Sequence, residues 1–219
     1  MSKSSFDAVL WDFGGVITSS PFDSFNRYEA EHGLPHDYIR TVNSHNPNNN
    51  AWAMFERSDI SREQFCDQFQ QESARYGHAV PGADVLGLLE GEVREDMVDA
   101  LMNIKTRYRV ACLTNNVRSG QGPGMNSNPD RANRVAEVMG MFEFVLQSSE
   151  AGVRKPEPRF FEIACERLDI SPTRAVYLDD LGINLKPARA MGMRTIKVLN
   201  PTQALNELES ILGHSVRND

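Results

Sequence analysis

Cysteine is scarce in this 219-residue chain: only Cys66, Cys112 and Cys165 occur. They are odd in number, far apart and without the close spacing of a metal-ligating pair, which excludes a disulfide framework and a cysteine-built metal site and leaves buried, reduced thiols. Long apolar runs are missing too. None approaches the ~20 residues that a bilayer-spanning helix needs, and Met1-Ser2-Lys3-Ser4-Ser5 leads into a strand pattern, not into an apolar signal core. The expected location is cytoplasmic, with no membrane partner. Positive charge is in deficit, with 23 Lys and Arg against 30 Asp and Glu, a net charge of −7. Binding a nucleic-acid backbone needs clustered cations, so no nucleic-acid partner is expected, and an anionic small molecule would need a local Lys or a metal. No internal repeat or heptad run is visible. The 40% hydrophobic content is that of a globular chain, long enough for one substantial core with an inserted lobe.

The chain is organised around Ala8-Val9-Leu10-Trp11-Asp12-Phe13-Gly14-Gly15-Val16-Ile17. An uncharged apolar run that stops at a carboxylate and two glycines reads as a buried strand delivering Asp12 to the lip of a sheet, where open α/β sheets bind ligands. Glycine lets backbone N–H groups come close to an anion, so Gly14 and Gly15 suit such an approach. Taken alone, Asp before glycines also reads as an ordinary turn.

From 19 to 92 amphipathic helical segments such as 22–31 and 61–76 appear, with no convincing strand, and this stretch reads as an inserted α-helical cap. Ser61 with Gln64 forms a capping-box pattern at the head of the second segment. His45-Asn46-Pro47-Asn48-Asn49-Asn50 reads as a polar loop, since one His among asparagines is a poor metal site. Trp52, Phe55 and Arg57 lie in the cap, but their spacing fits core as well as a site, so they are not assigned to the site. From 93 onward helix and strand alternate: helical patterns at 95–106, 131–139, 158–168 and 185–191, strand patterns at 108–113, 144–146, 175–178 and 195–198. The predicted fold is α/β, a Rossmann-like three-layer parallel sheet built from 1–18 and 93–219, with 19–92 as the cap. Residues 120–130, rich in Gly, Asn and Pro, read as a loop insertion beside Thr114 that could also serve as a lid.

Three more polar groups stand at strand ends or in a braced loop. Val110-Ala111-Cys112-Leu113 runs into Thr114-Asn115-Asn116, a hydroxyl and an amide-rich turn suited to phosphate oxygens. Lys155 sits in Gly152-Val153-Arg154-Lys155-Pro156-Glu157-Pro158, where prolines stiffen the backbone around a point charge. Val176-Tyr177-Leu178 ends in Asp179-Asp180, and carboxylates gathered beside Asp12 would repel one another without a hard cation such as Mg²⁺. Each piece has a plainer reading: a turn residue, a solvated Lys, a helix N-cap. Their order makes the constellation specific.

In that order, and over essentially the whole chain, Asp12, Thr114, Lys155 and Asp179-Asp180 resemble the four motifs of the haloacid dehalogenase-like hydrolase superfamily. The runs Leu113-Thr114-Asn115-Asn116, Glu150-Ala151-Gly152-Val153-Arg154-Lys155-Pro156-Glu157-Pro158 and Tyr177-Leu178-Asp179-Asp180-Leu181-Gly182-Ile183-Asn184-Leu185-Lys186-Pro187-Ala188-Arg189 are most similar to the N-terminal phosphatase domain of soluble epoxide hydrolases and its stand-alone bacterial relatives. With little sequence after the last predicted strand, an epoxide hydrolase domain is not expected in this chain.

The resemblance implies a Mg²⁺-dependent phosphohydrolase acting on a small phosphorylated metabolite. Asp12 would be the nucleophile forming an aspartyl-phosphate, with Lys155 as the charge-balancing catalytic partner. Phe13, Gly14, Thr114, Asn115, Asn116 and Lys155 would bind substrate, the N–H groups of Asn115 and Asn116 holding phosphoryl oxygens. Asp12, the Gly14 carbonyl and Asp180 would hold the metal, with Asp179 acting through water or orienting the ligands. Cap residues would choose the substrate, and the protein would work as a monomer or homodimer. One departure stands out: such phosphatases usually carry a second Asp two positions after the nucleophile as general acid and base, and here Gly14 occupies that place. Such help is worth about 10² to 10⁴ in rate, so alkyl esters should suffer most.

Two rival readings remain. A metal-independent 2-haloacid dehalogenase would use the same Asp to attack carbon, but has no use for Asp179-Asp180 gathered around a cation. A non-catalytic binding protein would keep the fold, but has no reason to retain four convergent polar groups.

Overall fold

The computed structural model describes residues 5–116 and 129–217. Among these, five strands form one sheet: β1 (Ala8–Trp11), β2 (Arg109–Thr114), β3 (Phe144–Gln147), β4 (Ala175–Asp179) and β5 (Arg194–Lys197). All the pairings are parallel, in the order β3-β2-β1-β4-β5. Every residue of β1 and β4 is buried, as a strand covered on both faces requires, and this is why their sequences are continuous apolar runs.

The strand period divides β1 between two cores. Val9 and Trp11 point into an apolar cluster with Met97 and Leu101 of α6 (Glu95–Ile104), Val135 and Val138 of α7 (Pro129–Met139) and Leu205 and Leu208 of α11 (Pro201–Leu212). Ala8 and Leu10 point the other way, to Phe160, Phe161 and Leu168 of α9 (Pro158–Leu168) and Leu185 and Ala188 of α10 (Gly182–Ala190). The result is the three-layer parallel α/β architecture expected from the alternating pattern.

Between β1 and α6 the chain folds into α1 (Pro21–Glu31), α2 (Tyr38–Ser44), α3 (Ala51–Glu56), α4 (Arg62–Arg75) and α5 (Gly82–Gly87). These helices have an apolar cluster of their own that includes Phe25, Ile39, Phe55, Phe65, Phe69 and Val85. The capping box at α4 is present as read: Gln64 N–H donates to Ser61 Oγ at 3.2 Å and Ser61 N–H to Gln64 Oε1 at 2.7 Å. The two connections to the lobe run side by side, Thr18 bridging antiparallel to Val93 and Arg94 N–H donating to the Ile17 carbonyl at 2.8 Å.

Helices α2, α3 and α5, the short α8 (Ser148–Ala151) and α11 were not anticipated, and α10 begins three residues before the predicted 185. Six- and seven-residue helices are too short for a 3.6-residue period to declare itself. For α11 the signals were present: Asn200 caps Gln203 N–H at 2.9 Å and Pro201 opens the first turn. Of the loop read at 120–130, residues 120–128 lie outside the described residues, while Asp130 belongs to α7.

Candidate active site

The strand order decides where polar groups gather. From β1 the chain winds through β2 to β3 on one side and returns to place β4 and β5 on the other, so β1 and β4 flank a topological switch point, where the connections diverge and open a crevice at the carboxyl edge. Trp11 is level with Leu178, and Asp12 N–H donates to the Leu178 carbonyl at 2.8 Å. Asp12 and Asp179 therefore emerge at the same edge from adjacent strands, with Asp180 next in the chain. The oxygens of Asp12, Asp179 and Asp180 come within 4.8 Å of one another.

Lys155 is wedged into this cluster, 2% exposed, its Nζ 2.7 Å from Asp12 Oδ1 and 2.9 Å from Asp179 Oδ2. Burial alone would lower the pKa of the ammonium, but the Asp12 and Asp179 charges outweigh it and hold it above its ordinary value. Burial pushes the Asp12 carboxyl well up; Lys155 opposes this, and the charges of Asp179 and Asp180 add to it. Asp180 is pushed up to about 6, by burial first and then by Asp179. One ammonium among three carboxylates leaves negative charge uncompensated, which adds to the effect of burial on Asp12 and Asp180.

Asp179 is the best-supplied member. It accepts from Lys155, from Leu181 N–H at 2.7 Å, from Asn184 Nδ2 at 3.1 Å to each oxygen, and from the Tyr177 hydroxyl. Burial holds the Tyr177 phenol well above its ordinary pKa, which keeps it a donor. Asp180 has a lighter set, with Ser20 Oγ donating to Oδ2 at 3.3 Å. Asp12 Oδ1 also accepts Phe13 N–H at 2.6 Å. Gly15, with φ of 77°, lets the turn after β1 pass directly against the Asp180 carboxylate.

A cavity of about 870 Å³ opens over this edge. Asp12, Phe13, Gly14, Thr114, Asn115, Asn116, Lys155 and Asp180 all line it, whereas Asp179 is fully buried behind them. One of the expected phosphoryl contacts is otherwise engaged, and so is the backbone donor of Phe13. Asn116 N–H, read from sequence as a phosphoryl donor, instead donates to Ser148 Oγ at 3.0 Å, and Phe13 N–H serves Asp12 itself. The Asn115 side chain brackets the Lys155 backbone, donating to its carbonyl at 3.0 Å and accepting its N–H at 2.9 Å.

The lobe supplies the opposite wall, with Phe22, Trp52 and Glu56, and the loop before Lys155 contributes Arg154. Of the cap residues left unassigned, Trp52 lines the cavity, Phe55 belongs to the lobe core and Arg57 pairs with Asp59 at 2.9 Å. Glu56 and Arg154 form an ion pair in which both side chains are largely buried. Burial pushes the Glu56 carboxyl up, while Arg154 pulls it down. Sequence reasoning missed both; the only hint was Arg154 standing next to Lys155. The thiols stand apart from the chemistry: burial raises the pKa of each, that of Cys165 to about 11.

A parallel sheet with carboxylates at its switch point, a buried Lys among them and a helical lobe over the crevice is the arrangement of an α/β enzyme with a Rossmann-like core. The chain matches the haloacid dehalogenase-like hydrolases over residues 6–192 and belongs to that family. Among curated relatives it is 32% identical over 215 residues to acyl-CoA dehydrogenase family member 10 of Mus musculus, covering 95% of this chain and 19% of that protein. It is also 27% identical to bifunctional epoxide hydrolase 2 of Sus scrofa, covering 94% of this chain and 39% of the other, in keeping with the resemblance read from the motifs. The chain thus spans well under half the length of these relatives. Solved structures share the fold at low identity. A haloacid dehalogenase family enzyme from Bacteroides thetaiotaomicron, in complex with magnesium and inorganic phosphate, is 20% identical with a TM-score of 0.57, over 87% of this chain and 93% of that one. An L-2-haloacid dehalogenase from Xanthobacter autotrophicus with chloropropionic acid covalently bound is 15% identical with a TM-score of 0.60, over 94% and 82%. Among the described residues no helix is long and apolar enough to cross a membrane.

Proposed function

We propose that this hydrolase is a Mg²⁺-dependent phosphatase of small phosphate monoesters that works through an aspartyl-phosphate on Asp12, with 19–92 as the cap that encloses the substrate. The observation that carries the reading is the gathering of Asp12, Asp179 and Asp180 within 4.8 Å beside a single ammonium. Oxygen-only donors with an uncompensated negative charge fit a hard divalent cation. Asp12, Asp180 and the Gly14 carbonyl would hold Mg²⁺; Asp179, its oxygens already taken by four donor groups, would orient the site. When bound, the ion supplies charge neutralisation for the nucleophile and the phosphoryl oxygens.

In the first step an Asp12 carboxylate oxygen attacks phosphorus, the ester P–O bond breaks, and the leaving oxygen takes its proton from water, because Gly14 offers no acid. In the second, water attacks the same phosphorus, the bond to Asp12 breaks, inorganic phosphate forms and the Asp12 carboxylate is regenerated, while the proton lost by the attacking water returns to solvent and replaces the one taken in the first step. Thr114 Oγ1 and Asn115 N–H would hold phosphoryl oxygens, and Lys155 would offset charge on Asp12 and the transferred group. A dehalogenase has no need of a third carboxylate at cation distance, so the same cluster favours phosphate over a haloacid.

Phosphate release from para-nitrophenyl phosphate and acetyl phosphate, with Mg²⁺, with EDTA and with Asp12→Asn, tests the reading. Mg²⁺-dependent turnover that disappears in Asp12→Asn is expected. Halide release from a 2-haloacid in EDTA, without phosphate release in Mg²⁺, would overturn it.

A further inference from the structure

The lobe meets the catalytic edge through one buried carboxylate. Glu56 closes α3 and is 6% exposed. Its Oε2 pairs with Arg154 and lies 3.4 Å from Asn115 Nδ2, and the Glu56 carbonyl accepts Ser148 Oγ at 2.9 Å. Arg154 holds the lobe at a second point, donating from Nη1 to the Pro47 carbonyl at 3.2 Å. Both core partners of the Glu56 carboxylate flank Lys155: Arg154 precedes it in the chain, and Asn115 clamps its N–H and carbonyl. Lys155 in turn ends on Asp12. An unbroken run of polar contacts therefore leads from α3 of the lobe through Asn115 to the nucleophile.

Glu56 is the one carboxyl that the lobe places in the cavity, and the edge lacks an acid at Gly14, so a proton-donor role deserves comparison. The geometry speaks against it. Oε2 is turned to Arg154 and Asn115, toward the loop that carries Lys155. A largely buried charge left without its partner is costly, so the pair holds only while the lobe is seated.

We propose that Glu56 is a positioning residue: by pairing with Arg154 and Asn115 it seats the lobe and fixes the Lys155 loop, so that Lys155 meets Asp12 correctly only when the lobe is docked. This rests on the phosphatase reading for its catalytic consequence, but not for the docking itself.

The chain's two tryptophans allow both to be read. Trp11 is fully buried in the sheet, so acrylamide quenching of fluorescence reports on Trp52. Glu56→Gln keeps the size and removes the charge; Arg154→Gln approaches the pair from the core side and serves if the first variant fails to fold. Each single variant should raise the quenching constant about twofold or more as the lobe loosens. Each should also lower kcat for para-nitrophenyl phosphate about tenfold or more, the ordinary size of a coupling between linked sites. In Glu56→Gln/Arg154→Gln the losses should fall short of multiplying, because the two variants share the loss of the Glu56–Arg154 pair. Unchanged quenching in both single variants would overturn the proposal, as would multiplying losses. So would a rise in KM at constant kcat, which would make Glu56 a substrate contact. An inactive wild-type protein would sink the phosphatase reading, and the quenching arm would still decide whether Glu56 seats the lobe.

Discussion

Gly15 and Asp180 are packed so closely that a Cβ on Gly15 would stand 2.2 Å from Asp180 Oδ2. At φ of 77° a side chain is also strained whatever the space around it. Gly15→Ala should therefore displace a proposed metal ligand and destabilise the fold by more than about 1 kcal/mol. Calorimetric titration with Mg²⁺ should show affinity reduced by roughly 10- to 100-fold. Wild-type affinity in a folded Gly15→Ala protein would remove Asp180 from the metal set.

Lys155 is shared between Asp12 and Asp179, and nothing else cationic reaches that distance among the described residues. Lys155→Met leaves two buried carboxylates facing each other, a loss of about 3 to 5 kcal/mol by the usual cost of a broken buried pair. Urea unfolding at neutral pH should show it. Because protonation relieves the repulsion, the deficit should shrink as pH falls. A deficit independent of pH would mean that lost packing, not charge, is responsible.

How much of this was legible follows from geometry. In a parallel sheet the strands are apolar runs and the chemistry stands where each run stops, so Asp12, Thr114 and Asp179-Asp180 are marked in one dimension by a change of character, and Lys155 by its prolines. Which lobe residues face the cavity is a different kind of fact. It depends on how α3 docks, and nothing in a six-residue helix says that Trp52 and Glu56 turn toward the sheet while Phe55 turns inward. The engagement of Asn116 N–H by Ser148 was invisible for the same reason, since the partner lies 32 residues away. Only α11 was missed despite readable signals, Asn200 and Pro201.

Asp180 carries a pH signature. Its carboxyl is pushed up to about 6 from 3.8, so between those values the folded protein binds more protons than the unfolded chain. Stability of the metal-free protein should therefore fall as pH rises through that window, by at most about 3 kcal/mol from this group. Mg²⁺ binds the ionised form, so it should raise the melting temperature more at about pH 7.5 than at about pH 5. Thermal unfolding at both values, with and without Mg²⁺, checks the sign. An equal or larger effect at the lower pH would be incompatible with Asp180 as a ligand.

Gly14 stands where related phosphatases carry a second Asp, and the structure leaves room for one: a Cβ there meets nothing within 4 Å. Unlike Gly15, Gly14 is not among the residues with positive φ, so an L side chain brings no backbone strain. Gly14→Asp should therefore fold. Its carboxyl adds negative charge to a cluster already short of cations, so Mg²⁺ should stabilise the variant more than the wild type. An acid at this point protonates the leaving oxygen, which matters for an alkoxide and little for acetate. Turnover of an alkyl phosphate should then rise by about 10², while acetyl phosphate changes by less than about tenfold. The ratio of the two rates is the quantity to measure, because it cancels shared effects on folding and metal affinity. A folded, Mg²⁺-binding Gly14→Asp protein with an unchanged ratio would mean that proton supply does not limit this enzyme, and that substrates with good leaving groups are the ones to screen.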